Sequence, residues 1–161
     1  MKRLLLIFVL GLFCTLIPLA EEIPDFELNT LTGNNKVSFH RYLQGNKATI
    51  VNFFTTWCPY CRKELKKFTE YYSDRAKGVE FLAISVGEEL AKVVEFRDKL
   101  DIPFPIVLGT KKIADYFKIR SIPVTVVFDK DMNVIKKYIG ARSIEAYIEL
   151  LDPLLGSTGQ Y

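Results

Sequence analysis

The chain has 161 residues, 49% of them apolar and 25% charged, with a net charge of +3, three cysteines and one histidine. That balance excludes a disordered chain, and the length suits one domain plus a targeting segment. The mild charge, with no basic block, argues against a nucleic-acid partner. Beyond residue 20 the soft ligands are Cys58, Cys61 and His40, too few for a structural zinc, which takes four protein ligands; His40 reads as a surface or packing residue.

Met1-Lys2-Arg3 is a short basic start, and Leu4 to Ala20 follows without a charge. As a helix these residues would span about 25 Å, slightly short of a hydrocarbon core of about 30 Å. Residues 1–20 are therefore expected to be a signal peptide or an N-terminal membrane anchor in contact with the membrane. Cys14 within it reads as a small apolar membrane residue. Lys2 and Arg3 keep that end in the cytoplasm, so residues 21–156 are expected outside it as one domain, with 157–161 a loose tail.

Phe26-Glu27-Leu28 and Val37-Ser38-Phe39 alternate around the turn residues Thr32-Gly33-Asn34-Asn35, the pattern of a hairpin. Ala48 to Phe54, ATIVNFF, is apolar on both faces and predicts a central strand. After it, Cys61, Leu65, Phe68 and Tyr72 recur at helical spacing. Val79–Val86 reads as a buried strand, Leu90–Leu100 as a helix ended before Pro103, and Pro105–Leu108 as a short extended segment. Lys111–Lys118 reads as a short helix with Ile113 and Phe117 inward, and Val124–Phe128 as a strand. Val134–Ile139 returns antiparallel to that strand, and a last helix is striped by Ile144, Tyr147, Ile148, Leu151 and Leu155, with Ser143 as its N-cap. This alternation predicts an α/β fold, a mixed sheet with helices on both faces.

The chemistry concentrates in TWCPYCR, Thr56 to Arg62, where the central strand gives way to a helix. A spacing of two residues lets both sulfurs meet across one turn. Cys58 falls at the helix start, where free amide N–H groups and the positive end of the dipole favour a thiolate, so it reads as the attacking sulfur. Cys61, one turn in, reads as the more buried, resolving sulfur. Pro59 suits a first turn that needs no N–H from it, and Arg62 and Lys63 add positive charge nearby. A static disulfide here would close so small a loop that it would be a poor staple. A strand running straight into a CxxC at a helix start points instead to a redox-active dithiol.

Those residues carry a resemblance. PDFELNTLTGNNKVSFHRYLQGNKATIVNFFTTWCPYCRKEL, then LAISVGE, DIPFPIVLG and SIPVTVVFDKDMNVI, resemble the thioredoxin superfamily, and within it the TlpA/ResA-type exported thiol–disulfide oxidoreductases, which are related to the peroxiredoxin fold. The resemblance implies a thioredoxin-like fold with an N-terminal β-hairpin and a central βα insertion. It implies that Cys58 and Cys61 are catalytic, with Pro123, after Ile122, the cis-proline beside the disulfide. Trp57, Pro59, Tyr60, Ile122 and Pro123 are then expected to contact substrate. Glu64 matches an acidic residue of the family, able to pass protons to or from the resolving thiol, against the alternative of a solvated charge facing Lys63 or Lys67. Asn52 stands where cytoplasmic thioredoxins place a buried aspartate. Pro59-Tyr60 departs from the ResA-type pattern towards that of glutaredoxins, which leaves the direction of electron flow open.

The expected function is an exported enzyme that exchanges disulfides with protein substrates. It is expected to act as a reductant fed by a membrane electron donor, with apocytochrome c haem-attachment cysteines among its clients. No cofactor or metal is expected beyond the Cys58–Cys61 disulfide itself. The alternatives are a disulfide-donating oxidant, a peroxidase (weakened because both cysteines share one CxxC), and a carrier or chaperone gripping Cu(I) through two thiolates.

Overall fold

The computed structural model describes residues 22–33, 35–75 and 78–156. The expected signal or anchor at 1–20, Asn34 of the hairpin turn and the tail at 157–161 lie outside the described residues. In chain order the elements are β1 Glu27–Thr30, β2 Lys36–Ser38, α1 His40–Leu43, β3 Ala48–Phe54, α2 Pro59–Arg75, β4 Val79–Val86 and α3 Leu90–Leu100. They continue as β5 Ile106–Gly109, α4 Lys111–Tyr116, β6 Val124–Asp129, β7 Val134–Ile139 and α5 Ile144–Leu155.

The strands form one mixed sheet in the order β2-β1-β5-β4-β3-β6-β7. β4 runs parallel to β3 and β5, and the remaining pairings are antiparallel. Every residue of β3 is buried, the consequence of a strand apolar on both sides and covered on both. Because side chains alternate along a strand, β3 feeds two cores. Ile50 and Phe54 join Cys61, Leu65 and Phe68 of α2 and Tyr147 and Leu151 of α5. Val51 and Phe53 join Phe39, Phe117 and Phe128.

The architecture is the α/β mixed sheet that the pattern predicts, with three local differences. Besides the four helices expected, the described residues hold a fifth, the short α1, after the hairpin. Phe39 leaves the sheet instead of extending β2, sending its N–H to Phe26 O at 2.8 Å and burying its ring. Four residues are too few to show a helical period. His40 in this helix has Nε2 2.7 Å from Ile23 O, a packing role. Second, β5 starts at Ile106, since Pro105 has no N–H for the ladder, although its carbonyl still accepts from Ala83 N at 3.0 Å. Third, Ser143 holds the N-cap position of α5 without a side-chain capping bond, and Pro153 sits inside that helix near its end at Gly156, which has φ +72°.

Among the described residues no helix is long and apolar enough to cross a membrane.

Candidate active site

The site is built where β3 ends. Phe54 is the last strand residue, Thr55–Trp57 turn the chain, and α2 begins at Pro59. Cys58 N–H donates to Thr55 O at 3.2 Å, which closes the turn. The free amides of the first helical turn then face the sulfur: Cys61 N–H donates to Cys58 Sγ at 3.1 Å, a bond that favours negative charge on that atom. Cys58 and Cys61 are joined by a disulfide with their Cα atoms 5.3 Å apart. Cys58 keeps 5% exposure and Cys61 none, so the outer sulfur is the one a substrate can approach.

Around it, Trp57 is 71% exposed and Tyr60 67%. Two large apolar groups held in solvent beside a buried disulfide make a surface of the kind that docks a partner. Pro59 is exposed between the cysteines. The register places Phe53 opposite Val124, so Ile122 and Pro123 lie at the same end of the sheet as Cys58. Ile122 is half-buried, Pro123 is buried, and the bond between them is cis.

Glu64 is where the structure decides between two readings of the sequence. The alternative of a solvated charge facing Lys63 or Lys67 does not hold, because Glu64 is only 2% exposed. Three segments donate to its carboxyl, and a fourth supports one of the donors. Oε1 accepts from Tyr147 Oη on α5 at 2.7 Å and from Arg142 N, just before that helix, at 2.9 Å. Oε2 accepts from Asn52 Nδ2 on β3 at 2.9 Å, and the same nitrogen donates to Thr125 Oγ1 on β6 at 2.8 Å. Burial pushes the Glu64 carboxyl above its ordinary value, partly offset by the bonds from Tyr147, Arg142 and Asn52 and by the Arg142 charge. Burial and the neighbouring Glu64 charge push the Tyr147 phenol up as well, so Tyr147 remains a proton-bearing donor.

Two further residues shape the approach to Cys58. Glu88, just past β4, accepts Thr56 N at 2.8 Å and Thr56 Oγ1 at 2.6 Å, and also Ser85 Oγ at 2.8 Å, which ties the segment before Trp57 to the neighbouring strand. Arg62 turns back along the surface, with Nη2 donating to Thr56 O at 3.3 Å and its guanidinium 5.6 Å from the centre of the Phe96 ring. No group of three or more His, Cys, Asp or Glu side chains able to hold a metal occurs among the described residues.

Tyr147, Arg142, Thr125 and Glu88 escaped the sequence reading. Tyr147 reads as one more apolar stripe residue of α5, and only the hydroxyl at the tip of a buried ring hints at a polar task. Arg142 contributes a backbone N–H, which no side-chain pattern can reveal.

The arrangement is a dithiol–disulfide couple with one accessible sulfur, an apolar docking rim and a buried carboxyl one helical turn beyond the inner sulfur. Residues 19–137 match the model of the AhpC/TSA family. The chain is similar to the thiol-disulfide oxidoreductase ResA of Bacillus cereus, 33% identical over 141 residues, covering 84% of this chain and 79% of that protein. Among solved structures it is similar to StoA from Bacillus subtilis, with a TM-score of 0.64, 29% identity, and 78% of this chain and 95% of that one covered. A thiol:disulfide interchange protein of the thioredoxin family from Chlorobium tepidum gives a TM-score of 0.68 at 30% identity, covering 83% of this chain and 94% of that one.

Proposed function

This chain belongs to the AhpC/TSA family of thioredoxin-like proteins and is a thiol–disulfide oxidoreductase, and we propose that it works in the reducing direction on proteins outside the cytoplasm. One observation carries the proposal: a Cys58–Cys61 couple at the start of α2 with the buried carboxyl of Glu64 one turn further on.

In the reaction proposed, the Cys58 thiolate attacks a client disulfide and forms a mixed disulfide, releasing one client sulfur as a thiolate. Cys61 then attacks Cys58 Sγ, the second client sulfur leaves, and the Cys58–Cys61 disulfide is restored. The client gains two electrons and the couple loses two. Glu64, its proton affinity raised by burial, takes as a carboxylate the proton that the Cys61 thiol gives up before it attacks, and returns one when the couple is reduced again. Trp57, Pro59, Tyr60, Ile122 and Pro123 form the client's resting surface. In this reading the Cys58–Cys61 disulfide itself supplies the redox chemistry.

The apolar run from Leu4 to Ala20 supports placement at the outer face of a membrane, with the domain at 21–156 exported and a membrane protein as electron donor. Clients are then exported proteins with disulfides, including apocytochrome c haem-attachment cysteines.

The test pairs two measurements. The reduction potential of the Cys58–Cys61 couple should lie near that of thioredoxin, about −270 mV; a value near about −120 mV, that of a strong oxidant, would make the protein a disulfide donor. A Cys61→Ser variant should hold its client as a mixed disulfide through Cys58. Clients trapped by Cys58→Ser instead would reverse the roles.

A further inference from the structure

Asn52 is buried at 1% exposure, and its Oδ1 has no hydrogen-bond partner among the described residues, while its Nδ2 serves both Glu64 and Thr125. An amide with both donor hydrogens used and a buried acceptor left idle is arranged for one charge state of its neighbour, here the ionised carboxylate.

The protonated state needs a different arrangement. Arg142 N is a backbone donor and cannot reverse; with Tyr147 Oη also donating to that oxygen, as it does here, Oε1 keeps the carbonyl role when Glu64 is neutral. The acid proton must then sit on Oε2, which faces Asn52 Nδ2 at 2.9 Å. Two donors cannot share that contact. Rotating the amide by about 180° resolves the conflict. Oδ1 then accepts from Glu64 Oε2–H and also from Thr125 Oγ1, whose hydroxyl can donate as readily as accept. Each orientation leaves one Asn52 side-chain atom without a partner, so the rotation exchanges the burden without enlarging it.

We propose that Asn52 is a rotating amide whose hydrogen-bond sense follows the protonation of Glu64, donating to the carboxylate and accepting from the acid. Asn52 is a positioning residue: it lets a buried carboxyl lose and regain a proton while keeping a hydrogen bond in either state. An aspartate at this place, an acceptor only, would serve the acid but repel the carboxylate. The groups bonded to Glu64 are the Tyr147 phenol on α5, the Arg142 N–H before α5 and Asn52 on β3, with Thr125 on β6 behind Asn52; Cys61 lies three residues before Glu64 on α2. The proposal rests on the reading of Glu64 as the proton carrier for Cys61.

The experiment is NMR on the full-length, labelled protein in detergent. The Glu64 carboxyl carbon is followed against pH, together with the Asn52 side-chain nitrogen and the NOEs from its amide protons to Glu64 and Thr125. The two titrations should share one midpoint, with those NOEs present above it and lost below it. In Glu64→Gln the new carbonyl must take the place of Oε1, so its amide nitrogen faces Asn52, and the low-pH pattern should persist at every pH. Asn52 signals unmoved through the Glu64 titration, or a Glu64→Gln protein that keeps the high-pH pattern, would overturn the rotation. Asn52→Leu should move the midpoint of the pH profile of mixed-disulfide resolution upward, because the charged form loses the stronger bond; an unmoved midpoint counts against Asn52. The underlying reading is judged separately. If Glu64→Gln resolves mixed disulfides with the wild-type pH profile, Glu64 is not the proton carrier, whatever the amide does.

Discussion

The two faces of the sheet are built on opposite terms although one strand supplies both. Below β3, Val51 and Phe53 meet Phe39, Phe117 and Phe128 in a layer of tilted and edge-on rings, with Phe53 and Phe117 centred 5.6 Å apart. Above it, Ile50 and Phe54 flank Asn52, and that layer holds the disulfide, the Tyr147 hydroxyl and Glu64. Among the described residues, Glu64 is the one buried carboxylate. The ring layer gains stability from burial and dispersion. The upper layer gives up part of that gain to hold a titratable group out of water. Alternation along a single strand is enough to separate stability from chemistry.

This separation can be broken deliberately. The largest effect is expected on the upper face: Cys58→Ser should abolish turnover of a disulfide substrate such as insulin while leaving the fold intact, read by activity and circular dichroism. On the lower face, Phe53→Ala should cost about 3–5 kcal/mol in urea unfolding and leave the reduction potential of the couple unchanged. A shifted potential would show that the two layers are coupled through β3.

Glu64→Gln sharpens the contrast by pH. The folded-state pKa of Glu64 is raised, so the folded chain holds its proton after the unfolded chain has lost one. Wild-type stability should therefore fall relative to Glu64→Gln as pH rises from the ordinary carboxylate range through the raised value, and level off above it. Urea midpoints of both proteins across pH give the curve; a constant difference would mean that Glu64 does not titrate in the fold. Smaller still, Glu88→Ala leaves Thr56 N–H and two hydroxyls without their acceptor, at about 1–3 kcal/mol. Its effect on exchange rate should exceed that of Phe53→Ala, since it frees the segment leading to Cys58. The smallest belongs to neither layer: Glu27→Gln removes an exposed ion pair to Lys36 at 3.1 Å and should change stability by less than about 1 kcal/mol.

Much of this was legible in residue order. ATIVNFF and VEFLAISV coincide with β3 and β4, because runs apolar on both faces have few ways to be satisfied other than as central strands. The CxxC stood out because strand, turn and helix start follow one another within a few residues. α1 was missed because one turn has no periodicity. Ser143 does hold the N-cap position expected of it, but its hydroxyl makes no capping bond, which position alone does not guarantee.

The sequence by itself determined the elements other than α1, the two sulfurs and the place of Asn52 and Glu64, all of which rest on local pattern and on spacing within one helix or strand. Only the tertiary structure decided that Glu64 is buried and what meets it. Its partners Arg142 and Tyr147 lie 78 and 83 residues further along the chain. A carboxylate three residues after a cysteine looks the same in sequence whether solvent or a phenol covers it. The packing of α5 over α2 removes the water, and burial is what shifts its proton affinity.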